Sequence, residues 1–447
     1  MMTSRSISIL KTWKATKSGP WLGILLFFLQ LFLPNHGLGR IYIDINAPSI
    51  QRIKIAIPDF KNFSEHTEHP ELSAALPGVV SNNLDLSGYF TSMDQEAFLE
   101  GDDSSSSIGD IRFKSWSIIG AELLLKGGYT IIGRSIEVDI RLYDVILGKQ
   151  IIGRRVLGKI GEYRALMHRV GNEIISVITG HKGMFLSKLA FVGTSTGHKE
   201  IYISDYDGHN IRKITSDKSI ALFPRWSPSG ESIAFNSYKD GGPMLYIRDG
   251  SKKTRRLSGR KGMNTGASWS SDGRKLALTL SPRGNQDIYT IDLKGKIIGR
   301  LTNHWAIDIS PSFSPDGKKI AFMSNRSGNP QIYIRDLVLG RSERLTFEGK
   351  YNASPTWSSL NRIAFSSMND GRFDIFTISI DGSNMRKLTE DQGNNEDPCW
   401  SPDGRYIVFS SNRMGGYHLY IMNANGQNQR RITFSKGEET SPSWSPF

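Results

Sequence analysis

The sequence predicts a mainly β protein: a six-bladed β-propeller closed by a split blade and preceded by a small α/β domain. Three observations carry this. An aromatic box recurs every 43 or 44 residues through the second half, at Trp226, Trp269, Phe313, Trp357, Trp400 and Trp444. The repeat begins in the middle of a unit and ends in the middle of one. The stretch before it mixes alternating and helical apolar patterns instead of repeating.

Composition sets the limits. The chain has 447 residues, 38% hydrophobic and 22% charged, with a mean hydropathy of −0.33. That excludes a multi-span membrane protein and argues against wholesale disorder. Glycine, at 45 residues, exceeds the usual ~7% and points to many tight turns. A single cysteine, Cys399, excludes an intrachain disulfide and any cysteine-cluster zinc site. The net charge is +13. Its positives are scattered, as at Arg255-Arg256, Arg260-Lys261 and Arg430-Arg431, so no nucleic-acid stripe forms.

Residues 1–39 read as a cleaved secretory leader. Arg5, Lys11, Lys14 and Lys17 precede an apolar run over 21–33, which Pro34 and Asn35 stop. The run is short of the ~20 residues that span a bilayer. Gly37 and Gly39 place small residues before a cut at Arg40. An exported chain with one unpaired thiol implies that Cys399 is buried, as a small apolar residue on a strand.

Residues 40–180 form the α/β domain. Residues 40–45 (RIYIDI) and 52–57 (RIKIAI) alternate as strands, and Pro58-Asp59 ends the second. A helix is expected over 72–86 despite Pro77. The polar tract 102–107 reads as a mobile loop. Segments 121–129 and 135–143 suggest a hairpin joined through Gly127, Gly128 and Gly133. Residues 161–179 carry apolar side chains at helical spacing, and Gly180 is a fitting stop.

Residues 181–447 form the ring. Each unit reads as four strands: A around the aromatic box, B (as in IAF), C (as in IY) and D (ending LT). The boxes are PRWSPSG, ASWSSDG, PSFSPDG, PTWSSLN, PCWSPDG and PSWSPF. In S-P-D-G the proline presets one turn dihedral and the glycine takes the left-handed one. Asp-Gly and Asn-Gly pairs supply the tight C–D turns. The first B, C and D segments lack an A, and the last A lacks its followers. One sheet built from both chain ends therefore closes the ring and leaves no open edge. The box loses D-G at Ser359-Leu360 and its aspartate at Ser229. Each change is expected to alter one turn only.

Several motifs suggest chemistry. Gly193-Thr194-Ser195-Thr196-Gly197 matches the G-x-S-x-G nucleophile elbow. That elbow needs a strand, a turn and a helix, whereas this match lies between strands B and C. His66 and His69, beside Glu65 and Glu68, have no third ligand set by spacing. Asp205-x-Asp207-Gly208 lacks the downstream glutamate of a calcium loop and reads as a hairpin turn. No P-loop or dinucleotide fingerprint is present, and no cofactor, metal or catalytic residue is expected.

Acids and amides recur in the D-to-A connections: Asn264 and Thr265; Asp308 and Ser310; Asn352 and Ser354; Asn395, Glu396 and Asp397; Glu438, Glu439 and Thr440. A propeller gathers these loops on one face around its channel. Read alone, they are polar loop tips or a binding mouth. An exported propeller enzyme or a glycan-binding propeller is the competing class.

The leader, the α/β domain and the WSPDG ring together resemble the periplasmic TolB family of the Tol-Pal envelope system. The N-terminal runs are the more specific part: residues 40–44, IAIPDF at 55–60, LSGYF at 86–90, and the junction residues 178–185. The resemblance implies a periplasmic binding protein rather than an enzyme. It implies that the mouth residues above bind a Pal-like lipoprotein. It also implies that Arg40, Ile41, Tyr42, Ile43, Asp44 and Ile45 serve a TolA-like inner-membrane protein. The implied role is outer-membrane integrity and constriction at cell division, with membrane attachment through partners and exposure to hijacking by bacteriocins.

Overall fold

A computed structural model describes residues 52–65, 68–98, 111–390 and 392–447. The leader, the strand at 40–45, His66 and the tract at 102–107 lie outside the described residues.

In the N-terminal domain, β1 (Ile53–Ala56) lies between β3 (Phe90–Ser92) and β4 (Leu123–Ile132), parallel to both. Antiparallel β5 (Ser135–Asp144) and β6 (Lys149–Lys159) extend the sheet in the order β3-β1-β4-β5-β6. The short β2 (Lys61–Asn62) pairs with the far end of β4. Helices α1 (Leu72–Ser87) and α3 (Tyr163–Thr179) pack together, and a short α2 (Phe113–Ile118) precedes β4. Alternation on β5 sends Ile136, Val138, Ile140 and Leu142 into one core with Leu76, Val80 and Leu84 of α1 and Met167, Val170 and Ile174 of α3.

Pro77 sits inside α1 without breaking it. It cannot bond the carbonyl four residues back. That carbonyl, on Ser73, instead accepts from Phe60 N–H at 2.9 Å. Gly180 caps α3 at φ 73°. The β4–β5 hairpin differs from expectation in one respect: Gly127 and Gly128 lie within β4, and only Gly133 (φ 60°) serves the turn. A Cβ on Gly127 would strike the Phe60 ring, so these two glycines admit aromatic packing.

The ring has six four-stranded sheets. Five are continuous, such as Ala221–Trp226, Ile233–Ser237, Met244–Arg248 and Thr254–Ser258. The sixth joins Glu439–Trp444 to Lys188–Gly193, Glu200–Asp205 and Arg212–Lys213. This is the split-blade closure that strand counting anticipates.

The repeat signature has a physical basis at two places. In five blades the terminal threonine hydroxyl accepts the N–H of strand C: Thr215 from Ile201, Thr302 from Ile288, Thr346 from Ile332, Thr389 from Ile375 and Thr433 from Leu419, at 2.8–2.9 Å. In the S-P-D-G turns an aspartate accepts from the serine hydroxyl and a backbone N–H, as Asp316 does from Ser314 and Lys318. Ser229 fills that place with its hydroxyl, 3.1 Å from Ser227 Oγ. Where D-G is missing, Asn361 takes the left-handed conformation (φ 56°).

The N-terminal domain rests on the ring through α1, α3 and the loop after α1. Tyr406 OH donates to Ser87 O at 2.9 Å, and Arg405 donates to Tyr89 OH at 2.7 Å. Asn428 donates to the carbonyls of Asp85 and Leu86. Tyr206, Tyr406, Val408 and Trp444 share one hydrophobic core with the domain's helices and sheet.

Candidate functional site: the propeller channel and its mouth

The A strands, Ala221–Trp226, Asn264–Trp269, Asp308–Phe313, Tyr351–Trp357, Asn395–Trp400 and Glu439–Trp444, surround a channel of about 610 Å³. Each strand slips register against its neighbour at the same place. The residue at that bulge is left-handed in every blade: Phe223, Gly266, Ser310, Ser354, Asp397 and Ser441, at φ between 50° and 64°. A bulge turns side chains that would face a neighbouring sheet toward a new direction. Here Phe223, Gly266, Ser310, Ser354 and Asp397 line the channel.

Asp397 organises this ring of positions. Its carboxylate accepts from Ser354 Oγ at 3.1 Å and from Ser441 Oγ at 2.8 Å, the equivalent residues of the two flanking blades. One level deeper, side chains of one blade accept the N–H of the next blade's aromatic residue: Ser443 from Trp226, Ser268 from Phe313 and Ser312 from Trp357. Cys399 does the same for Trp444 N–H at 3.4 Å. The thiol lines the channel and is half-buried, a more specific place than an apolar filler. Burial pushes it up, while the Arg225 charge draws it down.

The recurring acids and amides divide by position within each A strand. The residue two places before the left-handed bulge is a buried clasp. Asn264 accepts from Ser258 Oγ at 2.6 Å, and Asp308 receives both its bonds from Arg326. Asn352 donates to Gln331, Asn395 donates to Asp374, and Glu439 lies 2.6 Å from His418 Nδ1. These five side chains are turned inward. The later positions reach the opening. Thr265 and Ser310 line the channel, and Thr440 is half-buried. Glu396 is half-buried and accepts from Tyr417 OH at 2.5 Å. Burial raises the Glu396 carboxyl, the Tyr417 bond lowers it and the Asp397 charge raises it, with a net rise. Glu438 is exposed, and its backbone is joined to Thr194 of a B–C turn. D–A loops and B–C turns thus share one face.

Sequence reasoning missed Phe223 and Arg225 as channel residues, Ser441 as a partner of Asp397 and Tyr417 as the partner of Glu396. Ser441 was within reach, because it lies one 44-residue period after Asp397. Tyr417 carries no such signal.

The other motifs are placed as follows. Ser195 sits in a strand–turn–strand hairpin, and its hydroxyl donates to Tyr202 OH at 2.9 Å. Gly197 supplies the turn at φ 83°. Asp205 and Gly208 close a hairpin turn through Gly208 N–H to Asp205 O at 3.0 Å. His69 pairs with Glu71 at 2.9 Å on an exposed surface. Among the described residues, no helix is long and apolar enough to cross a membrane.

A channelled six-bladed ring that carries an α/β domain on its closing blades defines a propeller protein with an N-terminal accessory domain. Residues 175–447 match the TolB beta propeller domain, and residues 41–151 match the TolB amino-terminal domain. The chain belongs to the TolB family. It is 42% identical over 268 residues to the Tol-Pal system protein TolB of Desulfosudis oleivorans, covering 59% of this chain and 61% of that one. It is 37% identical over 240 residues to the protein of the same name from Syntrophus aciditrophicus, covering 51% and 52%. These matches span between half and three fifths of the relatives' length. The crystal structure of TolB from Acinetobacter baumannii superposes with a TM-score of 0.78 at 28% identity, covering 91% of this chain and all of that one.

Proposed function

We propose that this chain is a periplasmic binding scaffold of the Tol-Pal system that engages a Pal-like lipoprotein across the propeller mouth. The observation that carries this reading is the channel face itself, where Asp397, Glu396 and Glu438 stand at or near the opening while the buried clasps hold the loops that present them. Family membership and the relatives' shared name support it. An acidic rim on a basic protein speeds encounter with a positive or amide-rich surface in a salt-dependent way. Partner binding there would support outer-membrane integrity and constriction at division. The segment 40–45 is proposed as the piece offered to a TolA-like protein, on the strength of its alternating sequence. Calorimetry of the protein with a soluble Pal-like domain tests the reading. Saturable one-to-one binding that a mouth variant weakens is expected, and no binding would exclude it.

A further inference from the structure

Where α3 meets the ring, a set of donor atoms converges that the mouth does not use. His168 on α3 is buried, its side chain 3% exposed. Its Nδ1 lies 3.1 Å from Asn83 Oδ1. The amide of Asn83 is oriented by its neighbours: Nδ2 donates to Met167 O, and Oδ1 accepts from Tyr206 OH. His168 Nδ1 therefore carries the proton. In the neutral ring, the form that burial favours, Nε2 is then a bare lone pair. This Nε2 is buried, has no hydrogen-bond partner and faces Asp207 Oδ2 at 3.8 Å. Asp207 is itself buried, its side chain 1% exposed. Asp207 Oδ2 is already met by the Arg164 guanidinium, but the Nε2 lone pair beside it stays buried without a donor, which is unfavourable unless a cation reaches it.

We propose that His168, Asp205 and Asp207 form a zinc site at the junction of the N-terminal domain and the ring, with His209 as the solvent-side ligand. One donor atom from each of the first three lies within 4.8 Å of the others, so the three draw together by about an ångström to reach the ~2.0–2.2 Å ligand distances of one zinc ion. His209 Nδ1 is 3.3 Å from Asp207 Oδ1 and its side chain is 54% exposed, which gives the ion a way in. Imidazole with carboxylate selects zinc over calcium or magnesium, which prefer oxygen alone. The bond from His168 Nδ1 to Asn83 is the outer-shell contact that orients a ligating histidine. Arg164 donates to Asp207 at 2.5 Å and Lys188 to Asp205 at 2.9 Å. These two cations balance the carboxylates in the absence of metal. Lys188 is half-exposed and moves into water when the ion enters. Since His168 belongs to α3 and the aspartates to a turn of the closing blade, bound zinc clamps the two domains together.

The test is zinc titration of the untagged, chelator-stripped full chain against a chromophoric competitor, with cobalt as a spectroscopic probe. One tight equivalent is expected, with the visible bands of tetrahedral cobalt and a zinc-dependent rise in melting temperature. His168→Gln and Asp205→Asn should each weaken uptake at least tenfold, while the control His198→Ala leaves it unchanged. If His168→Gln does not fold, Asp205→Asn alone decides. A wild-type chain that takes up no stoichiometric zinc, or folded variants that bind as tightly as wild type, would overturn the site.

Discussion

The indole N–H of Trp444 donates to Ser187 Oγ at 2.7 Å, tying the last strand of the chain to the residue that precedes the ring's first strand. Ser445 extends the tie, accepting Lys188 N–H on its hydroxyl and donating its own N–H to Lys188 O, both at 2.8 Å. Ring closure thus rests on the last strand, Glu439–Trp444, and the residue after it. Trp444→Ala should cost about 3–5 kcal/mol, the usual range for a buried tryptophan. Deleting residues 441–447 should cost more, because it also bares a sheet edge. Urea denaturation reads both, and a truncated protein as stable as the intact one would contradict closure through this strand.

The domain junction offers a second stability measurement. Tyr406 is buried, and its hydroxyl donates to the carbonyl of Ser87, the last residue of α1. Tyr406→Phe keeps the ring in place but leaves that carbonyl without this donor, at a cost of about 1–3 kcal/mol. The loss should show as a lower denaturation midpoint and faster proteolysis between 180 and 188. Unchanged values would mean that the junction does not depend on this bond.

The ring was legible in the sequence because its physics is local and repeated. Left-handed turn glycines, the Trp box and the L-T ending each mark one recurring contact, and a period exposes them all at once. The α/β domain was legible only in its helices and its alternating strands. Strand β6 escaped notice because Gly153, Arg154, Arg155 and Gly158 break its alternation, although it pairs with β5 along its whole length. The mouth was half legible. Sequence marks which residues open each A strand, but not that the one two places before the bulge turns inward as a clasp while the bulge redirects the next turn of the strand toward the channel. That division depends on Arg326, Gln331, Arg413 and His418, which lie 18–21 residues away from, or back from, the residues they hold.

Ser195 makes one partly buried hydrogen bond, to Tyr202. Ser195→Ala should therefore change stability by about 0.5–1.5 kcal/mol and leave partner binding intact. A fluorophosphonate probe should not label the wild-type residue. Stoichiometric labelling at Ser195 would assign it a nucleophile's role and revive the enzyme alternative.

Glu396 supplies a pH dependence with a defined sign. Its carboxyl is raised, first by burial and then by Asp397, against the Tyr417 bond that lowers it. The folded state therefore holds its proton to higher pH than the unfolded state does. Stability from this group is fully present below the unfolded value near 4.5 and is lost as pH rises through the folded value. Glu396→Gln should stabilise the protein at pH 7 and leave it unchanged at pH 4, as measured by melting temperature. An equal effect at both pH values would show that the change acts through packing.

The mouth prediction separates charge from architecture. Glu438 is exposed and its side chain holds no loop in place, so Glu438→Lys tests the rim field alone. Asp397 bridges Ser354 and Ser441 across three blades. Asp397→Asn keeps a short polar side chain that tolerates the left-handed backbone while removing the charge. Asp308 differs, because its carboxylate is spent on Arg326. Asp308→Asn should lower stability by about 1–3 kcal/mol through the unpaired guanidinium, with little direct effect on binding. If the mouth recognises a Pal-like domain through its acids, the pair Glu438→Lys and Asp397→Asn should bind it about tenfold more weakly, mainly through slower association, and with a shallower dependence on salt. Stopped-flow association at two ionic strengths, with melting temperatures for each variant, distinguishes the cases. Unchanged association in a folded double variant would remove the acidic rim from recognition and leave the apolar channel wall, Phe223 foremost, as the surface to test next.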